Sequence, residues 1–558
     1  MVVFQRNKDL VMRLHHLGMV ALLMVGVISA PAYAKTSEYN LTIERLPVNI
    51  TGKTLKKVTV NGGIPAPTLR FTEGDEAVIH VTNKLDVATS IHWHGLILPG
   101  EMDGVPTFNG FPGIMPGETF TYRFKAKQTG TYWYHAHSGA QEQDGLYGSL
   151  IFSPKGKDPI QADRDYVVVL SDFINEDGDE VMSNIKKASD YYATNRLTLG
   201  DFFDDVKARG WDKAWTDAMH WGEMRMARTD LADVSGYIFL VNGKAPEQSW
   251  TGLFKPGERV RLRFINASAM SFFDVRIPGL KMSVVQADGQ DIEPVPVDEF
   301  RFAPAETYDV IVTPKDDKAY TIAAESIDRS GFAIGTLATS EGQRGEMPKP
   351  RERALLTMAD MNMDMMMKDD PDMEMTPADM ISGWAKTGAP EGDKALSYAD
   401  LRYAGIQKDT RQPERTIDVN LGGNMERFIW TINGKKFSDA EPIKLRYGER
   451  VRLKFTNETM MAHPMHLHGM FVQLENGQPA EKLPNKHTVI VPPGGSYSVL
   501  VTADAAGEWA FHCHLLYHMM AGMMNKVVVA KLDPGEIPPP PAAETTKPAT
   551  SGGNHAGH

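Results

Sequence analysis

The chain has 558 residues, 42% hydrophobic and 23% charged, with a formal net charge of −12; this suits three or four soluble domains and excludes a globally disordered chain. A single cysteine beside 31 methionines excludes an intramolecular disulfide framework and any multi-cysteine zinc or iron–sulfur site. The acidic balance, with no basic footprint, argues against nucleic acid as a partner.

Residues 1–34 are predicted to be a signal peptide. Arg6, Lys8, Arg13, His15 and His16 precede the apolar run Met19–Ala30, and Ala32-Tyr33-Ala34 offers a small-x-small cleavage site. The run is short for a bilayer span, so an exported soluble protein is expected in preference to an N-terminally anchored one, and no later segment is long enough to span. With no disulfide to form, a bacterial periplasm is the expected destination. No adjacent arginine pair occurs in the n-region, which leaves the export route open.

Three segments then share a pattern, ending at Asn83, Asn266 and Asn457. Each has an Asn-Gly turn, a glycine followed by an acid (Gly74-Asp75, Gly257-Glu258, Gly448-Glu449), and an alternating strand that reaches Asn nine residues after that glycine. The glycines are 183 and 191 residues apart, a period that fits tandem domains and not a solenoid. Period-two runs such as VRLRF and VRLKF predict half-buried strands of β-sandwiches. The expected layout is a first domain over residues 35–160 and a second over 161–346, with a helical insertion around Asp201–Arg228. A Met/Asp-rich linker over 347–415, a third domain over 416–533 and a disordered tail over 534–558 follow.

Ten of the 17 histidines fall in four clusters: His92-Trp93-His94, His135-Ala136-His137, His463 with His466 and His468, and His512-Cys513-His514 with His518. Residues i and i+2 of a strand share a face, so each H-x-H presents two imidazoles together. Gly117 and Gly494 each precede a second glycine by 13 residues and then a histidine by five more, so TYWYHAH and EWAFHCH occupy one strand position in the first and third repeats. Ala136 stands where Cys513 stands, and the second repeat has no histidine there. Cys513 faces away from His512 and His514. With His463, His518 and Met523 it completes two imidazoles, a thiolate and a weak axial thioether, a blue-copper ligand set. Eight histidines remain for a second centre.

HWHG, HAHSG, HPMHLHG and HCHLLYHMMAGM resemble, in order and spacing, the four copper motifs of the multicopper oxidases, over roughly residues 38–532. The resemblance implies an all-β chain of three cupredoxin-like Greek-key sandwiches holding four copper ions. A type 1 copper is implied at His463, Cys513, His518 and Met523, a type 2 at His92 and His466, and a type 3 pair at His94, His135, His137, His468, His512 and His514. It implies further that a reductant delivers electrons singly through Cys513, and that four of them reduce O2 to water. Asp103, in HGLILPGEMDG, matches the family's proton-relay acid, whereas Met519 stands where copper-exporting relatives often carry a second acid.

Nine methionines crowd the acidic stretch Met358–Met380: Met358, Met361, Met363, Met365, Met366, Met367, Met373, Met375 and Met380. So acidic a stretch cannot be a core stripe, and thioethers favour Cu(I), so extra Cu(I) is expected on this linker. Such a linker resembles the copper-resistance branch of the family. The expected activity is oxidation of Cu(I) by O2, for periplasmic copper resistance alongside other copper-handling proteins. Alternatives are a laccase-like oxidase of phenols or other small organic reductants, and a copper-sequestering protein. The segment Trp211–Arg228 either covers the substrate path or packs on the second domain, and His555 and His558 either scavenge copper or are plain tail residues.

Overall fold

The computed structural model describes residues 35–223, 227–357, 360, 384 and 388–531. The expected signal peptide, the nine methionines from Met358 to Met380, and His555 and His558 lie outside them.

Each repeated sequence signal has one local job. Asn61, Asn242 and Asn433 adopt φ of 51°, 51° and 52°, and the glycine after each is also at positive φ, the pair of conformations a type I′ turn requires. The asparagine Oδ1 accepts from the main-chain N–H of Thr42, Val169 and Asn420, respectively, in the neighbouring strand. The acid of each Gly-acid pair accepts from a main-chain N–H three residues back, at Thr72, Lys255 and Arg446, which closes the turn before the strand. The terminal asparagines are buried hubs. Asn457 donates to Met461 O and Pro492 O and accepts from Thr459 N, and Asn83 and Asn266 do the same for their loops. In the first and third repeats the loop so fixed runs directly into a histidine strand.

Those turns build two sheets per repeat. In the first repeat one sheet runs Thr54–Val60, Thr36–Asn49, Glu76–Asn83, Thr119–Lys125, and the other Ala66–Thr72, Tyr147–Ser153, Gly130–His135, His92–His94. The second repeat has two six-stranded sheets, and the third a six-stranded and a five-stranded one. In the third repeat the five-stranded sheet carries His463–Leu467 beside Gly507–Cys513. Register repeats as well: His92 lies opposite His135, and His466 opposite His512.

Three features depart from the sequence reading. Val260–Asn266 is buried at every position, not on alternate ones. Its arginines are taken up by ion pairs with Asp309, Asp165 and Asp158, and Arg263 also reaches Thr131 of the first repeat. Helix extends beyond the expected insertion, because Gly178–Lys187 precedes Leu199–Arg209 and Trp211–Glu223. The stretch read as linker contributes Ala395–Leu396 to a sheet of the second repeat. It also contributes Tyr398, whose hydroxyl donates to Glu306. Among the described residues no helix is long and apolar enough to cross a membrane.

Candidate metal centre

The ten clustered histidines and Cys513 form two buried groups. In the smaller, Cys513 Sγ lies 3.5 Å from His463 Nδ1 and 3.8 Å from His518 Nδ1, and the two Nδ1 atoms are 3.2 Å apart. The outer nitrogens are held elsewhere: His463 Nε2 by the Thr459 hydroxyl at 2.7 Å and His518 Nε2 by Asp233 Oδ2 at 2.7 Å. Both rings thus turn Nδ1 toward the sulfur. Met523 is buried and fastened by two main-chain bonds, its N–H to His518 O and its carbonyl from Cys513 N. Trp430 stacks on His518 at 3.8 Å. Burial pushes the Cys513 thiol well above its ordinary range, so a thiolate there needs a cation beside it.

The other eight histidines meet between the first and third repeats. They include two triads, His94–His135–His514 and His137–His468–His512, each with nitrogens within 4.8 Å of one another. His512 Nε2 is 3.1 Å from His468 Nε2 and 3.5 Å from His137 Nε2, separations that fit imidazoles sharing one ion at about 2 Å each. His92 and His466 remain, with ring centroids 5.9 Å apart. The strand register explains the crossing: HWH and HAH project from adjacent strands of the first repeat, and HLH and HCH from adjacent strands of the third.

Outer nitrogens are anchored here too. Asp103 Oδ2 accepts from His468 Nδ1 at 2.8 Å, its Oδ1 lies 3.3 Å from His92 Nδ1, and its carbonyl accepts from His92 Nδ1 at 2.9 Å. Glu142 meets His135 Nδ1 at 2.6 Å, and the carbonyl of His487 accepts from His466 Nδ1 at 2.6 Å. Burial, then the neighbouring imidazoles, drives His94, His135, His466 and His468 well below the usual histidine range; burial above all brings His512 to about 4. The rings are therefore neutral and keep lone pairs. Seven nitrogens, on His92, His94, His135, His466, His487 and His514, are buried without a hydrogen-bond partner. That is the pattern expected where metal ions complete the site, so residues and metal fit.

All eleven residues expected from the histidine and cysteine motifs come together, with Met523 packed beside Cys513. Five neighbours went unread: Asp233, Glu142, Trp430, Thr459 and His487. Glu142, seven residues after His135, was within reach of a motif-based guess. Asp233 and His487 carry no local signal.

Comparison with known proteins agrees. Family profiles described as Multicopper oxidase match residues 42–157, 164–342 and 410–533. The chain is 48% identical over 548 residues to the Copper resistance protein A homolog of Pseudomonas syringae pv. tomato, covering 88% of this chain and 92% of that protein. It is 47% identical over 562 residues to Copper resistance protein A of Escherichia coli, with the same coverage. Among solved structures, Fet3p, titled a multicopper oxidase that functions in iron import, shares the fold at a TM-score of 0.66 and 20% identity, over 89% of this chain and 90% of that one. A laccase from Botrytis aclada does so at 0.63 and 22%, over 90% and 89%. Two buried imidazole groups joined through Cys513, three matching family profiles and near-half identity over most of the length place the chain in the multicopper oxidase family, whose members bind four coppers.

Proposed function

We propose that the protein oxidises Cu(I) with O2 in the periplasm as a copper-resistance enzyme, and that the cuprous ion is received in a cleft beside His518. The observation that carries this reading is Asp233. Its carboxylate accepts from His518 Nε2 and also lines a cleft of about 390 Å³ with Asp190, Asp230, Met425, Glu426 and Met461. Burial and the Asp233 charge push the Asp230 carboxyl up to about 6 against the opposing pull of Arg196, and the four acids of the lining outnumber that arginine, so the cleft gains from a bound cation. Soft thioethers and carboxylates together suit Cu(I). The helix Trp211–Glu223 buries Trp221 and leads into the same cleft through Gly222, so it both packs on the second repeat and borders the path.

We assign His463, Cys513, His518 and Met523 to the type 1 copper, His92 and His466 to the type 2, and the two histidine triads to the type 3 pair. When bound, these ions supply the one-electron steps by which four Cu(I) and four protons reduce one O2 to two waters. The chain fixes the rest. Asp233 and Thr459 hold the two type 1 imidazoles from behind, and Cys513 is bonded through the main chain to His512 and His514. Asp103, between His92 and His468, is assigned to proton delivery. The Met358–Met380 stretch is assigned to gathering Cu(I) for the cleft, and the partners are O2, Cu(I) and other periplasmic copper-handling proteins.

The test is O2 uptake by the copper-loaded full chain with Cu(I) or with a phenol, with and without residues 361–380. Cu(I)-driven uptake that drops on deletion while phenol oxidation holds supports the reading. Phenol as the far better reductant identifies a laccase-like enzyme, and no uptake from either identifies a sequestering protein.

A further inference from the structure

The cleft beside His518 grades from solvent to interior. Asp190 and Arg196 stand at its exposed side, Asp230 and Asp233 are half-buried, and Met461 is buried. Among the described residues of the lining, Arg196 is the one base beside four acids. Its guanidinium pairs with Asp190, and 57% of its side chain is exposed. Its charge is felt as far in as Asp230, whose carboxylate it favours in the ionised form. The Arg196 main chain is held independently of that side chain: Arg353 donates to the carbonyls of Asn195 and Arg196 and pairs with Asp201 at 2.6 Å.

An exposed ion pair of this kind contributes little to folding, and a fixed cation opposes the entry of a cuprous ion. The charge balance of the reaction gives it a use. A cuprous ion in the cleft gives one electron to the type 1 centre through His518 and becomes Cu(II). The ion that must leave therefore carries twice the charge of the one that entered. Acids that draw in the substrate hold the product by twice the Coulomb energy, which in affinity is a square. A cation among them works the other way, repelling Cu(I) once and Cu(II) twice. At about 7 Å, and screened most of the way to bulk water, that repulsion weakens Cu(I) about five-fold and Cu(II) about 25-fold.

We propose, resting on the reading of this cleft as the cuprous entry, that Arg196 is a specificity-determining residue that lets the cleft take Cu(I) and release Cu(II). The acids supply the attraction that a monocation needs, and Arg196 keeps the dication from staying.

The test compares wild type, Arg196→Gln and Arg196→Lys as copper-loaded full chains, with O2 uptake driven by Cu(I) at rising Cu(II). In Arg196→Gln the KM for Cu(I) is expected to fall about five-fold and the inhibition constant for Cu(II) about 25-fold. Arg196→Lys, which keeps the charge, should stay near wild type in both. Titration of the resting protein against a copper chelator should show the same tightening of Cu(II) held beyond the resident ions. Equal shifts for the two ions, an unmoved Cu(II) constant, or lysine behaving as glutamine would overturn the proposal alone. A residue kept only to hold its loop gives no response ordered by ionic charge. No Cu(I)-driven uptake by the wild type would overturn the cuprous reading and this proposal with it.

Discussion

Asp233→Asn isolates the charge at the proposed cuprous entry. The amide keeps the shape and can still accept from His518 Nε2, so the 2.7 Å contact changes from charge-assisted to neutral, a loss of about 1 kcal/mol. A cuprous ion about 5 Å from the carboxylate, at an effective dielectric constant of about 20, gains about 3 kcal/mol. The cleft is open to solvent, which trims that figure, so about 1.5–3 kcal/mol is expected to be lost for Cu(I). At 1.4 kcal/mol per decade this is a roughly 10–100-fold fall in kcat/KM. The assay is O2 uptake with Cu(I) and with the anionic reductant ferrocyanide at matched ionic strength. Ferrocyanide turnover should hold or rise, because a negative charge has gone. The Cu(I) defect should shrink in high salt, as the Debye length falls from about 10 Å at 0.1 M to about 3 Å at 1 M. Equal losses for both reductants would mean that Asp233 acts only through the His518 ring, and an unchanged Cu(I) rate would refute the entry site.

Three further outcomes follow from the same geometry. Cys513→Ser should abolish the blue absorption and the oxidase activity while costing the metal-free fold about 1–2 kcal/mol for a buried hydroxyl, measured by denaturant unfolding; retained colour would refute the type 1 assignment. Asp103→Asn should slow O2-dependent turnover about 100-fold, as expected for loss of a general acid–base group, with anaerobic bleaching of the blue band by Cu(I) unaltered; a matching loss in both would make Asp103 a structural residue. In the metal-free protein, burial lowers the His512 pKa to about 4, below the value of about 6.5 expected unfolded. The unfolded chain therefore takes up the proton first, and the stability present above pH 6.5 is lost as pH falls toward 4, on the order of 3 kcal/mol for this group. Denaturant titrations at pH 7 and pH 4 on the wild type and on His512→Phe isolate it from the other buried imidazoles, and an equal pH dependence in the two would contradict the neutral buried ring.

The parts legible in the sequence are those with a short-range period. H-x-H spacing on strands placed each imidazole pair on one face, and the offset of Cys513 placed it in the other group. The Asn-Gly, Gly-acid and strand-ending Asn signals marked the turns that Asn61, Asp75 and Asn83 build. What spacing could not show was which histidines meet. The triads combine His94 and His135 with His514, and His137 with His468 and His512, an outcome of how two repeats dock. Long-range partners were equally silent: Asp233 meets His518 across 285 residues and Asp103 meets His468 across 365. The burial of Arg261 and Arg263 was hidden for a related reason. Alternation assumes a solvated outer face, and at Arg263 that face is covered by Thr131 of the first repeat.

The second repeat carries none of the clustered histidines, yet the site depends on it. It supplies Asp233 behind His518 and Asp288 behind His487. It also positions the helix that bears His518. Asp172 accepts from the main-chain N–H groups of Ala269 and Met270 and from the Ser271 hydroxyl. The loop so fixed receives Leu516 N at Ala269 O and Tyr517 N at the Met270 sulfur. Buried carboxylates of this kind cost desolvation and are stable only where several donors converge, so they hold their partners to one geometry. Imidazoles fixed in that way need little reorganisation when a metal ion is bound or changes charge, because the tautomer and the ring plane are already chosen. A repeat that has no histidines at the site thus orients His518 and His487 of the third repeat, and loosening its carboxylates should disturb the metal centre before it disturbs the fold.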